Sequence, residues 1–292
     1  LDERALVREF NPKKSLAQNF LTDETHLSAI AAAAELTTDD TVLEIGPGLG
    51  VLTKYLAKEA GRVVAVELDD RLIEFLNDRF ATAPHVSIVH SDILKTDLSS
   101  LLTKTDSPTE PDLLSEQPRS SQPLSYKVVA NLPYYITSAV LRHLLEAATP
   151  PTVAILMVQK EVAERICAAP GRLSILAVSV QFYAQPQIVR VVPASAFYPR
   201  PKVDSAVLRL DILPTPAVET IEPNWYFRVV KAGFSQKRKQ LLNSMSAGLQ
   251  LAKSDAKEAL EKAQIDPKRR AETLTLMEWG NLARILNKTN TV

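Results

Sequence analysis

From Thr41 to about Leu210, short apolar runs rich in β-branched residues alternate with stretches of helical period. TVLEI (41–45), RVVAVEL (62–68), VSIVHSD (86–92), YKVVAN (126–131) and TVAILMVQ (152–159) read as strands. VLTKYLAKE (51–59), DRLIEFLNDRF (70–80) and the segment opening with KEVAERICAA (160–169) read as helices. Strands and helices in this alternation predict a parallel sheet covered by helices, which QIVRVV (187–192) and AVLRLDI (206–212) would complete. Residues 103–125, TKTDSPTEPDLLSEQPRSSQPLS, break the rhythm with four prolines and predict a long solvated insertion between the third and fourth strands. LPTPAVETIEPN (213–224) is a second shift in composition, and beyond it the pattern is helical throughout. The expected organisation is an α/β domain over 1–213, a linker over 214–224 and a smaller all-helical domain over 225–292.

Charge and cysteine content narrow the chemistry. The 292 residues carry a formal net charge of zero, so attraction for a polyanion must come from local clusters of cations. Two such clusters lie in the C-terminal region: Arg228, Lys231, Lys237, Arg238 and Lys239 within WYFRVVKAGFSQKRKQLLNSM, and Lys268, Arg269 and Arg270 within IDPKRRAETLTLMEW. Read as one helix, the first segment sets Phe227, Val230, Phe234, Leu241 and Met245 on one arc, with Arg228, Lys231, Arg238 and Lys239 on the next. Gly233 and Ser235 leave open a division into two helices. Cys167 is the only cysteine, which rules out an intrachain disulfide and a thiolate cluster. His26, His85, His90 and His143 show no metal-binding spacing, so no metal is expected. The charged opening LDERALVREF lacks the apolar run of a secretory signal, and no segment approaches the roughly 20 apolar residues of a membrane span. A cytoplasmic protein without a membrane partner is expected.

The candidate chemistry gathers at strand ends. VLEIGPGLGVLT puts Gly46, Gly48 and Gly50 between the first strand and its helix, where glycine permits φ > 0 and close backbone approach to a ligand. The third glycine follows the second by two residues, where the dinucleotide fingerprint requires three, which weakens a nicotinamide reading. Glu67 ends the second strand, where it can accept hydrogen bonds from a ribose diol. Asp92 ends the third, where it can accept one from an adenine amine. With Asn131 after the fourth strand, these groups share the carboxyl edge of one sheet, where ligands bind in such folds. The layout resembles that of S-adenosylmethionine-dependent methyltransferases, with a Rossmann-like sheet and helices on both faces.

VVANLPYYITSAV (128–140) ends an apolar strand on an amide, a proline and two tyrosines. Two acceptors gripping the N–H bonds of an aromatic amine localise its lone pair and aim it at a methyl carbon. Asn131 offers a side-chain carbonyl, and the main-chain carbonyl of Leu132 is free for the second bond if Pro133 turns the chain. Tyr134 can stack on the base, at roughly 1–3 kcal/mol per stacked base.

KKSLAQNFL, VLEIGPGLGVLT, VVAVELDDRL, HSDIL, VVANLPYYITS, MVQKEVAERI and FYPRPKVDSAV, in this order, resemble the successive motifs of the rRNA adenine N6,N6-dimethyltransferases of KsgA type. The resemblance runs from about Asn11 to Leu286. It implies that Asn19 and Leu21 join Gly46, Gly48, Gly50, Glu67, Asp92 and Asn131 in holding S-adenosylmethionine, and that Phe197 faces the target base opposite Tyr134. It also implies the substrate: two adjacent adenosines in the 3′-terminal hairpin of small-subunit (16S) rRNA, each dimethylated within a partly assembled subunit. The basic helical domain would bind that RNA, and a monomer is expected. Alternatives are the same chemistry on large-subunit rRNA, as in antibiotic-resistance methylases, and a non-catalytic assembly or RNA-binding factor.

Overall fold

A computed structural model describes residues 7, 10, 19–103, 125–219 and 222–289. The expected insertion over 103–125 lies, apart from its two end residues, outside the described residues, as do residues 13–18 of KKSLAQNFL. The chain divides into two compact units, Leu1–Lys160 with Gln187–Ile212, and Glu161–Pro186 with Leu213–Val292. In order, the elements up to the second composition shift are β1 (Phe20–Leu21), α1 (Glu24–Ala33), β2 (Thr41–Ile45), α2 (Val51–Glu59), β3 (Arg62–Glu67), α3 (Asp70–Phe80), β4 (Val86–His90), α4 (Leu98–Thr103), β5 (Lys127–Asn131), α5 (Thr137–Leu145), β6 (Val153–Gln159), α6 (Lys160–Ile166), α7 (Ile175–Tyr183), β7 (Ala184–Val192), β8 (Phe197–Tyr198) and β9 (Ser205–Ile212).

Seven strands form one sheet in the order β4-β3-β2-β5-β6-β9-β7, with helices on both faces. β4, β3, β2, β5 and β6 are parallel neighbours, and β9 runs antiparallel to β6 with Leu156 opposite Leu208. The near-continuous apolar runs of β2, β3, β5 and β6 suit this arrangement, because a parallel strand covered on both faces has no solvated side. From β2 the chain builds outward through β3 to β4, then returns to place β5 on the other flank of β2. The crevice at the carboxyl ends of β2 and β5 is therefore the switch point, where two loops leave in opposite directions and make room for a ligand. Capping fixes the entries of two nearby helices: Asp23 accepts from the Thr25 N–H, and buried Asp69 accepts from the Arg71 N–H and pairs with the Arg71 guanidinium at 2.7 Å.

A separate two-stranded pair lies outside the main sheet. β1 runs antiparallel to β8, with Phe20 opposite Tyr198 and Leu21 opposite Phe197. The Thr22 N–H donates to the Ala196 carbonyl at 3.0 Å, extending the pairing by one bond. Residues almost 180 positions apart are thereby joined.

The second unit holds α6 and α7 together with α8 (Pro223–Phe234), α9 (Leu241–Leu249), α10 (Lys253–Lys262) and α11 (Leu276–Thr289). Two boundaries differ from the sequence reading. Residues 161–186, expected in the first domain, group with the C-terminal helices because Ala177, Val178 and Phe182 of α7 belong to the core built around Tyr226 and Trp279. The Phe182 and Tyr226 rings stack with centroids 4.6 Å apart. Nor is the expected linker a free tether. The Ala217 N–H donates to the Phe182 carbonyl, Val218 is buried in the same core, and α8 opens at Pro223, whose missing N–H costs nothing at a helix start.

The segment 225–245 divides into α8 and α9, so the single-helix reading of its two arcs does not hold. The last turn of α8 is tightly packed. A Cβ on Gly233 would lie 2.2 Å from the indole of fully buried Trp279, so only glycine lets that ring close on α8. Truncating an indole so enclosed costs about 3–5 kcal/mol. Just beyond, the Ser235 hydroxyl donates back to the Ala232 carbonyl and ends the helix at Phe234. Lys237, Arg238 and Lys239 consequently occupy an exposed turn.

Candidate active site

The cavity at the switch point is lined by residues from Asn19–Leu21, the loop 45–49, Glu67 and Leu68, 91–94, 131–136 and Phe197. Gly46, Gly48 and Gly50 all have left-handed backbones, with φ of +69°, +59° and +74°. At Gly48 a Cβ would also sit 2.8 Å from the Phe20 ring, so the loop both turns where L residues are strained and receives an aromatic ring against its backbone. At Gly46 a Cβ would meet nothing within 4 Å. That open cradle in the cavity wall fits a ligand pressed against the main chain.

Glu67 braces this loop. Its Oε2 accepts from the Gly48 N–H at 3.0 Å, while Oε1 accepts from the N–H groups of Leu68 and Asp69, both at 2.8 Å. The carboxylate expected to face a ribose diol is thus also a strut between β3 and the glycine turn. Oε2 keeps acceptor capacity for one hydroxyl, since a carboxylate oxygen takes two donors. Asp92 has a similar double duty: Oδ1 caps the turn Ile93–Lys95 by accepting from the Leu94 N–H at 3.1 Å, and Oδ2 lies 3.4 Å from the Lys95 ammonium.

Asn131 ends β5 with its side chain already oriented. Its Nδ2 donates to the Asn19 carbonyl at 3.3 Å, which leaves Oδ1 as the acceptor available to the cavity. The Leu132 N–H continues the ladder to the Met157 carbonyl, and the following turn then begins its bonding at Pro133, whose carbonyl accepts from Ile136 at 3.2 Å. That turn makes no use of the Leu132 carbonyl. Asn131 Oδ1 and Leu132 O are the two acceptors the sequence reading calls for.

Tyr134 and Phe197 line the same cavity. The Tyr134 hydroxyl is 2.7 Å from the hydroxyl of Ser205, a fully buried residue at the start of β9. Burial pushes the Tyr134 phenol up, the Asp204 charge adds to this and the Ser205 bond opposes it, so the ring stays neutral. Phe197 is 4% exposed, held by its pairing with Leu21 and by the turn before it, where Asp204 accepts from the Ala194 N–H at 2.9 Å. Leu21 is itself buried and contributes to the wall through its backbone pairing.

A family model for ribosomal RNA adenine dimethylases matches residues 9–288. The chain belongs to this family. It is 46% identical to ribosomal RNA small subunit methyltransferase A of Dehalococcoides mccartyi (strain CBDB1) over 270 residues, covering 92% of this chain and 87% of that protein. The protein of the same name from Shouchella clausii is 44% identical over 284 residues, covering 96% and 91%. Among solved structures, the 23S rRNA methyltransferase ErmE is 29% identical, with a TM-score of 0.69 over 92% of this chain and 99% of that one. A dimethyladenosine transferase from Plasmodium falciparum shares the fold, with 24% identity and a TM-score of 0.70 over 93% and 98%. This dimethylase is accordingly an S-adenosylmethionine-dependent enzyme, and the open cradle at Gly46 and the acceptors of Glu67 and Asp92 fit that cofactor.

Two residues that shape the dimethylase's cavity, Glu44 in its wall and Ser205 behind Tyr134, are not singled out in the sequence reading. Ser205 gave no signal, because a serine opening a strand is ordinary. Glu44 carries one, a charge within the apolar run TVLEI. It is 1% exposed and its Oε2 has no hydrogen-bond partner. Burial pushes its carboxyl up to about 8; the Thr53 hydroxyl opposes the rise and the Glu67 charge adds to it.

The basic residues of the helical unit fall into two kinds. Arg228 is exposed, with its guanidinium 5.5 Å from the Trp225 ring centre, and Lys231, Lys268 and Arg270 are exposed as well. Arg269 is committed to the fold instead: its guanidinium pairs with Glu278 at the start of α11 and donates to the Thr273 carbonyl at 2.7 Å.

Proposed function

We propose that this dimethylase transfers methyl groups from S-adenosylmethionine to N6 of two adjacent adenosines in the 3′-terminal hairpin of small-subunit rRNA, twice on each. The reading rests chiefly on the oriented amide of Asn131, whose Nδ2 is spent on Asn19 so that Oδ1 meets the incoming amine. The cofactor supplies an activated methyl group when bound. Asn131 Oδ1 and Leu132 O accept the two amine N–H bonds and turn the nitrogen lone pair outward. Once the methyl is on nitrogen, the excess proton leaves from the same amine to these acceptors and on to solvent. Rate enhancement comes from proximity and fixed dipoles, with no covalent intermediate.

Tyr134, anchored by Ser205, and Phe197 flank the flipped base. Asn19, Leu21, Gly46, Gly48, Gly50, Glu67 and Asp92 hold the cofactor. Arg228, Lys231, Lys237, Arg238, Lys239, Lys268 and Arg270 contact phosphates and so anchor and orient the structured RNA. The choice of the small subunit is supported by relatives at 44–46% identity that carry that name. A cytoplasmic monomer acting on a partly assembled subunit completes the reading.

Labelled S-adenosylmethionine supplied with small and large ribosomal subunits lacking these modifications, followed by nucleoside analysis, tests it. Dimethyladenosine in the small-subunit RNA alone is expected. Label in the large-subunit RNA alone would transfer the enzyme to the chemistry named for ErmE, and RNA binding without label would leave an assembly factor.

A further inference from the structure

Among the described residues, the titratable side chains lining the cavity are Glu44, Glu67, Asp92, Tyr134 and Tyr135, with no lysine, arginine or histidine beside them. Glu67 and Asp92 are already held by backbone N–H groups. Glu44 differs, being almost fully buried with Oε2 unpartnered. The Thr53 hydroxyl of α2 and the Glu67 charge of β3 act on it, and the described cavity wall it shares includes Leu27 and Ile30 of α1, Leu52 of α2 and the neutral amide of Asn131 on β5. A second negative charge beside Glu67, in a wall of aliphatic side chains, is unfavourable unless a cation arrives.

The two forms of the cofactor differ in just that respect. S-adenosylmethionine carries a permanent sulfonium charge, which S-adenosylhomocysteine lacks; the amino-acid groups are the same in both. We propose that Glu44 senses this charge: its carboxyl keeps a proton in the empty and the product-bound cavity and releases it to solvent when the sulfonium form binds. The released proton leaves a carboxylate facing the cation, so binding of the sulfonium form is strengthened and binding of the thioether is not. After transfer the positive charge departs as the proton shed by the methylated amine, Glu44 takes up one proton again, and the thioether loses its counter-charge. A reaction needing repeated exchange of spent for fresh cofactor gains from this asymmetry. The proposal rests on the S-adenosylmethionine reading of the cavity.

Calorimetric titration of the full chain with each ligand at pH 7, in phosphate and in Tris, reads the protons exchanged. Net release approaching one proton per site is expected for S-adenosylmethionine and close to none for S-adenosylhomocysteine. In Glu44→Gln that release disappears, and the preference for sulfonium over thioether drops about tenfold. Equal release for both ligands, or release unchanged in the variant, overturns the role of Glu44. The unaltered protein gives a second reading: affinity for the sulfonium form rises with pH and levels near 8, while that for the thioether stays flat, and parallel profiles would equally overturn it. Failure of either ligand to bind at all would instead strike the cofactor reading of the cavity.

Discussion

Glu67, at the end of β3, and Arg238, in the turn after α8, are both charged side chains, and they are treated in opposite ways. The Glu67 carboxylate is buried and takes three backbone N–H donors before any ligand arrives. Arg238 lies in an exposed turn with Lys237 and Lys239 on either side. Groups of the first kind are positioned by the sheet and its loops, so their geometry is fixed in advance, as chemistry on a single amine requires. Groups of the second kind supply charge on flexible stems, which suits a polyanion whose phosphates can be met in many side-chain conformations. Precision belongs to the cavity and adaptability to the helical unit.

The sharpest way to break this contrast is to remove one preset group. Asn131→Ala deletes an acceptor that no neighbour replaces, and transfer is expected to fall by about 10²–10³-fold or more. RNA affinity should stay within about twofold, because Asn131 is not among the proposed phosphate contacts. Single-turnover methylation alongside filter binding checks both, and retained activity would remove Asn131 from the mechanism.

A more moderate effect is expected from the other side of the comparison. Replacing Lys237, Arg238 and Lys239 together by alanine should weaken RNA binding about 10- to 100-fold at low salt and flatten the log–log salt dependence by about two to three, with the melting temperature unchanged. Arg269→Ala is the informative control, since its guanidinium is tied to Glu278 and Thr273. It should cost about 1.5–3 kcal/mol of stability and leave the salt slope nearly as it was. Denaturation and binding measured across a salt series separate the two outcomes. If both variants behaved alike, the division between structural and phosphate-binding cations would fail.

The same contrast explains how far the chain could be read from its residues. β2, α2 and α3 coincide with TVLEI, VLTKYLAKE and DRLIEFLNDRF because period and capping act locally. Gly46, Glu67, Asp92 and Asn131 were legible as a set because the order of strands dictates that their ends share one edge. Partners supplied by distant segments were not legible. The anchoring of Tyr134 by Ser205, 71 residues away, and of Asn131 by Asn19, 112 residues away, depends on how β9 and the N-terminal segment return to the site. The break between α8 and α9 was half visible at Gly233 and Ser235, but the Trp279 ring that packs on Gly233 comes from a distant helix. Glu44 shows a different failure, because a charge in an apolar strand carries information only once its burial is known.

Ser205 provides the finest test of a preset cavity, since its hydroxyl meets the hydroxyl of the ring that would stack on the base. Ser205→Ala leaves the half-buried Tyr134 hydroxyl without its partner, which costs about 1 kcal/mol and should reduce kcat/KM roughly 3- to 10-fold. Tyr134→Phe leaves the Ser205 hydroxyl unpartnered in turn, and its loss should be similar. Removing both hydroxyls restores a matched apolar pair, so the double variant should recover part of the loss rather than add the two penalties. Strict additivity in that cycle would mean that the hydrogen bond does not position the ring, and that stacking alone holds Tyr134 where the base arrives.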